Sequence, residues 1–315
     1  MTAWIFAEEI DGAPAEGSLE LLAKARSHGD VNVFYVGSGS EAAWATLGDH
    51  GATNVYHLDP GDSLPSAPAA AALADLLEKD GGEVVLFGAG NTDRDVAGRL
   101  AARLDRPLVA GALDLDATDG ISVMSEILGG TKAVTTTITA ASPALVATRP
   151  KAFTAEAVGG STPEVVSIPV PDVGRSGAVI VERHVEASEG PNLEAAAVVV
   201  SGGRGLGSAE GFEMVDELAG LLEGAVGGTR AVVDAGWVPY SYQVGQTGKT
   251  VKPNVYIACA ISGAMQHVVG MKGSSTIIAI NKDPDAPIFA IADLGIVGDI
   301  HTVVPQLIGA LKERS

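Results

Sequence analysis

The chain has 315 residues, enough for two domains of ordinary size, and its 46% hydrophobic and 19% charged content excludes a disordered polypeptide. Acidic residues outnumber basic ones by 39 to 20, and the resulting formal charge of −19 repels phosphate backbones and excludes nucleic acid as a partner. The single cysteine, Cys259, excludes an intrachain disulfide, and no Cys/His cluster has the spacing of a zinc site.

Residues 1–190 hold 27 of the 39 acids and 12 of the 20 bases, so the charge is concentrated in the first part of the chain. Met1–Glu9 runs straight into a short apolar strand followed by acids, without a secretory leader pattern, and no apolar stretch reaches membrane-spanning length. A cytosolic protein without membrane insertion is expected.

Strand-like and helix-like segments alternate from the start. Ala3–Ala7 and Val31–Val36 are apolar runs, separated by Ser18–Ser27, whose leucines and alanines recur at helical spacing. Glu41–Leu47 reads as helix, Asn54–Leu58 as strand and Ala69–Lys79 as helix. Glu83–Gly88 is a buried strand, followed by the loop Gly88-Ala89-Gly90-Asn91-Thr92 and the helix Asp93–Leu104. This alternation predicts a parallel, doubly wound sheet. The pattern changes over residues 121–158, where the β-branched runs Val134–Thr139 and Ala144–Thr148 have no helix between them and predict antiparallel strands. Gly159–Gly190 mixes Pro, Gly, Ser and acids and reads as an interdomain linker, with an edge strand at Ala178–His184.

From Asn192 onward strict alternation returns. Strands are expected at Ala195–Ser201, Arg230–Asp234, Val255–Ser262, Thr276–Asn281 and Ile288–Ala292. Helices are expected at Ala209–Leu222, Ala264–Gly270 and Ile300–Lys312. The strands are nearly all apolar, as when both faces of a parallel sheet are covered. The fold class is therefore α/β, with two domains that are each a mainly parallel doubly wound sheet: residues 1–190, with the linker from about 159, and residues 191–315. Ligands of such sheets lie beyond the carboxyl ends of the strands, where four clusters fall.

The first cluster is Ser201-Gly202-Gly203-Arg204-Gly205-Leu206-Gly207-Ser208. Its glycines admit a closely approaching ligand, and Arg204 in such a loop points to an anion. The second, Gln243 to Thr250, ends like a nucleotide-triphosphate loop. It has Gln243 where that motif needs Gly, so it is read instead as a polar rim for a flat heteroaromatic ring. The third is Ser262-Gly263-Ala264-Met265-Gln266-His267, with Ser262 as a helix N-cap and His267 in the first helical turn. The fourth places Asn281 and Asp299 at element edges, where either could hold ribose hydroxyls. For Asp299, capping the last helix is an equal alternative.

Together these clusters resemble the alpha subunit of the electron-transfer flavoproteins. The most specific stretch is Val255-Tyr256-Ile257-Ala258-Cys259-Ala260-Ile261-Ser262-Gly263-Ala264-Met265-Gln266-His267, with Gly270 and Ala279-Ile280-Asn281-Lys282-Asp283-Pro284 after it. The resemblance covers residues 192–315 well and residues 3–153 more loosely. Ala260 stands where the family often has Gly and Val255 where Leu is common, both read here as strand positions. The resemblance implies FAD in the C-terminal domain, held by Arg204, Arg230, Val244, Gly245, Gln246, Thr247, Ser262, Gly263, Ala264, Met265, Gln266, His267, Asn281 and Asp299. It also implies a beta subunit carrying AMP, a partner-binding N-terminal domain, and single-electron carriage from acyl-CoA dehydrogenases to a membrane quinone oxidoreductase. Within that picture His267 supplies a donor or positive charge to the flavin C2 carbonyl, Arg230 lies against the ring, Thr247 donates to N5 and Arg204 holds the pyrophosphate. Two alternatives stand beside it. One is a flavin- or NAD-dependent oxidoreductase with its own small substrate; the other is a nucleotide-binding regulator with its site at Gly88–Asp93.

Overall fold

Strand β1 (Ala3–Ile10) anchors the first of two units, Met1–His184 and Val185–Ser315, in the computed structural model, which describes residues 2–174, 180–182 and 191–314. The chain then runs through β2 (Ala13–Pro14), α1 (Glu16–Ala25), β3 (Val31–Val36), α2 (Glu41–Asp49), β4 (Asn54–Leu58), α3 (Ser66–Asp80), β5 (Val84–Phe87) and α4 (Asn91–Leu104). Next come β6 (Leu108–Asp116), β7 (Ile121–Ile127), β8 (Lys132–Ile138), β9 (Ala144–Thr148) and β10 (Glu164–Ser167). The sheet order is β10-β4-β3-β1-β5-β9-β6-β7-β8, with β2 off β1. Strands from β10 through β6 pair in parallel, while β7 and β8 add an antiparallel pair at one end.

The period-two alternation of each strand feeds two cores. Ala3, Ile5, Val33 and Tyr35 meet Leu21, Leu22 and Leu47 from α1 and α2. Trp4, Phe6, Phe34 and Phe87 meet Leu73, Leu77, Val96 and Leu100 from α3 and α4. Apolar demand on both faces is why these strands read as unbroken hydrophobic runs.

The expected run Val134–Thr139 is antiparallel as far as Ile138, where β8 ends, but Ala144–Thr148 is not antiparallel. It lies between β5 and β6, parallel to both, and all five residues are buried. Strand propensity carries no direction, and β6, which follows α4, had no assigned signal to reveal a parallel neighbour. The expected linker also contains β10, which extends the sheet in parallel beyond β4. The edge strand expected at Ala178–His184 lies, apart from residues 180–182, outside the described residues.

The second unit holds β11 (Val198–Gly202), α5 (Glu213–Leu221), β12 (Ala225–Gly228), α6 (Arg230–Val233), β13 (Val255–Cys259), α7 (Met265–Val268), β14 (Thr276–Asn281), β15 (Leu294–Val297) and α8 (Ile300–Lys312). Its five strands are all parallel in the order β12-β11-β13-β14-β15. One face, with Val200, Ile257, Cys259 and Ile280, is covered by α5 and α8. The other, with Val199, Tyr256, Ala258 and Ile277, is covered by loop residues including Val244, Val251 and Ile288.

Three expectations fail here. Arg230–Asp234 is not a strand: its first four residues form α6, and the strand is the preceding Ala225–Gly228. Two glycines weaken the strand signal of that segment, and the absent side chain of Gly228 leaves room for Val232 to pack from the helical turn. Ile288–Ala292 is not a strand either. Pro287 opens a 3-10 turn, Pro287–Ala290, and the edge strand comes later at Leu294–Val297. Finally, Ser262 is not the cap of the short helix. β13 ends at Cys259, Ala260 takes a left-handed φ of 53°, and Ala264 is the N-cap of α7.

Candidate functional site

β11 is followed in the chain by β12 on one side and β13 by β14 on the other, so the strand order reverses between the neighbours β11 and β13. This is the place where doubly wound sheets bind ligands. The loop after β11 folds closely over the loop after β13. The Gly203 amide donates to the Cys259 carbonyl at 2.9 Å, and a Cβ at Gly205 would lie 2.8 Å from that of Ala260. Glycine is therefore required for this approach. Arg204 stands between these two glycines in the 3-10 turn Arg204–Leu206, exposed and paired with no acid among the described residues.

A cavity of about 960 Å³ opens over these loops. Its lining comes from beyond the carboxyl ends of all five strands: Gly203 to Gly205, Thr229 to Ala231, Ala260 to Ser262, Asn281 to Asp283 and Asp299 to His301. Adjacent parallel strands are about 4.8 Å apart, so this row of strand ends is about 19 Å long. The shape calls for an elongated ligand.

The segment Gln243 to Thr247 forms another wall. Gly245, at φ 139°, sits against α7 so closely that a Cβ there would lie 2.6 Å from the Gln266 carbonyl. The Gln246 amide donates to that same carbonyl at 2.7 Å. Gln243 is buried and its Nε2 donates to Thr247 Oγ1 at 2.9 Å, while the Tyr240 hydroxyl donates to the Thr247 carbonyl.

Twelve of the fourteen expected site residues line this cavity: Arg204, Arg230, Val244, Gly245, Gln246, Thr247, Ser262, Ala264, Gln266, His267, Asn281 and Asp299. Gly263 and Met265 do not. Gly263 turns the chain at φ 87° with its backbone against Ile288, and Met265 is half exposed at the start of α7. Arg230 is exposed at the start of α6 and its Nε pairs with Asp234 at 3.2 Å. Asn281 ties two loops together, donating to the Ile261 carbonyl at 2.9 Å and accepting from the Asp283 amide at 3.0 Å. Asp299 caps α8 through the His301 amide at 3.0 Å, which uses one carboxylate oxygen and leaves the other available.

His267 departs from expectation. Its Nδ1 is 3.0 Å from the Val244 carbonyl and its Nε2 is 2.9 Å from the Tyr256 hydroxyl, with the ring buried. A carbonyl only accepts, so Nδ1 carries the proton, and Nε2 accepts from Tyr256. Burial pushes the imidazole pKa down to about 4. The expected positive charge is absent, and the neutral ring has no further N–H to donate.

Thr229 and His301 also line the cavity and belong to no cluster read from the sequence. Gly203, Gln243 and Lys282 lie within the motif stretches but carried no assigned role, and only the fold reveals that they share the wall.

In the first unit, the loop Gly88–Asp93 is self-occupied. Asp93 is buried and its carboxylate accepts from the amides of Gly88 at 2.8 Å and Gly90 at 3.1 Å. Burial pushes its pKa up to about 6. The amides that a phosphate would need already bind the chain's own carboxylate, which removes the observation behind the nucleotide-regulator alternative.

A family model described as an electron transfer flavoprotein domain matches residues 3–173, and one described as an electron transfer flavoprotein FAD-binding domain matches residues 192–272. The electron transfer flavoprotein subunit alpha of Thermoanaerobacterium thermosaccharolyticum is 40% identical to this chain, over 98% of it and 97% of that protein. Its counterpart from Mycobacterium tuberculosis is 42% identical, over 98% of each. That from Mycobacterium leprae is 39% identical, over 99% of this chain and 98% of its own.

Proposed function

The chain belongs to the electron transfer flavoprotein alpha-subunit family, and we propose that it works as the FAD-binding half of a heterodimer that carries single electrons. In this reading the beta subunit completes the molecule and holds AMP. Acyl-CoA dehydrogenases donate electrons, a membrane quinone oxidoreductase accepts them, and the carrier works in the cytoplasm without a substrate of its own. No described helix is long and apolar enough to cross a membrane, in keeping with delivery to a membrane partner from outside the bilayer.

The observation that carries the reading is the cavity running along all five strand ends. Its volume lies near the top of the range for small-molecule sites, and its length suits a dinucleotide better than a metabolite. The residues fit FAD chemically. Gly203 and Gly205 let the loops after β11 and β13 close on each other at the cavity edge, and Arg204 between them matches a pyrophosphate. Asn281 retains one amide hydrogen and Asp299 one carboxylate oxygen for ribose hydroxyls. At the other end Arg230 offers a planar cation to the ring, and Gln246 and Thr247 line its rim. FAD, when bound, supplies the one-electron chemistry; these side chains bind it, orient it and set the charge around it.

An oxidoreductase with its own substrate would need an acid or base in the cavity. Its buried histidine, His267, is neutral with both ring nitrogens engaged within the chain, and the other titratable groups of the lining, among them His301, Asp283 and Asp299, are exposed, which favours the carrier.

The test is co-expression with the beta subunit. One FAD per heterodimer, reduced by an acyl-CoA dehydrogenase with its substrate and reoxidised by a quinone oxidoreductase, is the expected result. Stoichiometric FAD on an isolated chain that turns over a metabolite by itself would refute the carrier role.

A further inference from the structure

The buried side chain of Gln243 forms part of the cavity wall, and its amide touches the one hydroxyl of the Gln243–Thr247 segment. Gln243 is held on every side. Its backbone amide donates to the Tyr240 carbonyl at 2.9 Å, and its carbonyl accepts from the Lys249 amide at 2.7 Å. It also bridges in parallel to Gly228, at the end of β12, and only 3% of its surface is exposed. Gly248 leaves room for its backbone and side chain. From this fixed position Nε2 donates to Thr247 Oγ1 at 2.9 Å.

A hydroxyl has one hydrogen and two lone pairs, and hydrogen bonds at one oxygen spread around it. With a buried N–H occupying a lone pair on the protein side, the Thr247 hydrogen turns away from Gln243. Thr247 lines the cavity, and its hydroxyl donates to no group among the described residues. The Tyr240 hydroxyl holds the Thr247 carbonyl, so the residue cannot rotate out of this arrangement freely. We infer that Gln243 is a positioning residue that makes Thr247 a hydrogen-bond donor, and not an acceptor, toward the ligand in the cavity.

The inference rests on the FAD reading for the identity of that ligand. An edge of the flavin ring that gathers electron density on reduction is stabilised by a donor and destabilised by an acceptor. Gln243 thereby acts on the flavin through Thr247, and its amide, not its bulk, is the working part. Glutamate at 243 is nearly isosteric and, when ionised, only accepts. It would draw the Thr247 hydrogen out of the cavity.

Two measurements on the heterodimer test this. The first needs no flavin. The chain has four glutamines, Gln243, Gln246, Gln266 and Gln306, and the Gln243 side-chain amide signal in a 15N-glutamine-labelled sample is identified by its loss in Gln243→Glu. Its protons are expected to exchange at least tenfold more slowly than those of exposed Gln306, which lies outside the cavity on α8, and to lose that protection in Thr247→Val. Exchange as fast as the Gln306 amide overturns the inference, whether or not FAD is bound. The second is a double-mutant cycle on the flavin reduction potential at equal FAD content. Thr247→Val and Gln243→Glu should each lower the potential, and Gln243→Glu should lower it less when Thr247 is already Val. Thr247→Ser should keep the wild-type potential. Full additivity would overturn the inference and leave the FAD reading intact; a wild-type heterodimer without flavin would overturn that reading instead.

Discussion

The hydroxyl of Tyr256 lies 2.9 Å from Nε2 of His267, both fully or nearly buried, and this pair decides the protonation of the buried histidine of the cavity wall. Tyr256 belongs to β13 and His267 to α7, while the other ring nitrogen holds the Val244 carbonyl. A single imidazole therefore joins strand, helix and cavity loop as a neutral strut.

The first prediction concerns acid stability. The folded pKa of His267 is about 4, below the 6.5 of an ordinary imidazole, so the unfolded chain binds the proton more readily between those values. The stabilising contribution is complete above pH 6.5 and is lost as pH falls toward 4. Between pH 7 and pH 5 it amounts to about 2 kcal/mol. Urea titrations at the two pH values should show this loss in the wild type and its absence in His267→Gln. An equal loss in both proteins would mean that the histidine is not held neutral by the fold.

Asp93 shifts the other way. Its folded pKa of about 6 exceeds the ordinary aspartate value of 3.8, so the folded state takes up the proton first as pH falls. That contribution is present below about pH 4 and disappears as pH rises through 6. It amounts to about 3 kcal/mol in all. In Asp93→Asn the stability of the first unit should depend less on pH between 5 and 7 than in the wild type. Identical pH profiles for the two proteins would contradict it.

Arg230 and Asp234 should tune the flavin in opposite directions. The guanidinium is exposed and shared with the carboxylate 3.2 Å away, so its effect on the ring is screened. Arg230→Ala should retain FAD and lower the one-electron potential by roughly 20–40 mV, corresponding to about 0.5–1 kcal/mol. Asp234→Asn should raise it. Spectroelectrochemical titration giving the same sign for both variants would dismiss the electrostatic role.

Ala260 holds a φ of 53°, a conformation that costs an L-residue about 1–2 kcal/mol relative to glycine. Glycine gives part of that back through its freer unfolded chain. Ala260→Gly should therefore stabilise the second unit by up to about 1 kcal/mol, read as a higher urea midpoint. A lower midpoint would mean that the methyl group contributes packing against Gly205 that outweighs the strain. Ala260 follows β13 and is not part of it, so backbone conformation and not a strand face decides which residue suits this position.

Patterning alone determined a good part of this protein. Asn54–Leu58, Thr276–Asn281 and Ile300–Lys312 form at the residues where period-two and period-3.6 repeats place them, because burial acts on each side chain locally. The glycines around Arg204 and the Ser262–His267 segment marked the strand ends that become the cavity. Tertiary structure decided what no local repeat encodes. Ala144–Thr148 is parallel because it inserts between β5 and β6, strands distant in sequence. His267 reads as a candidate charge until Tyr256 and the Val244 carbonyl, 11 and 23 residues away, occupy its two nitrogens in a water-poor interior. Hydrogen-bond direction and desolvation depend on which groups meet in space, and that meeting is fixed only when the whole sheet has formed.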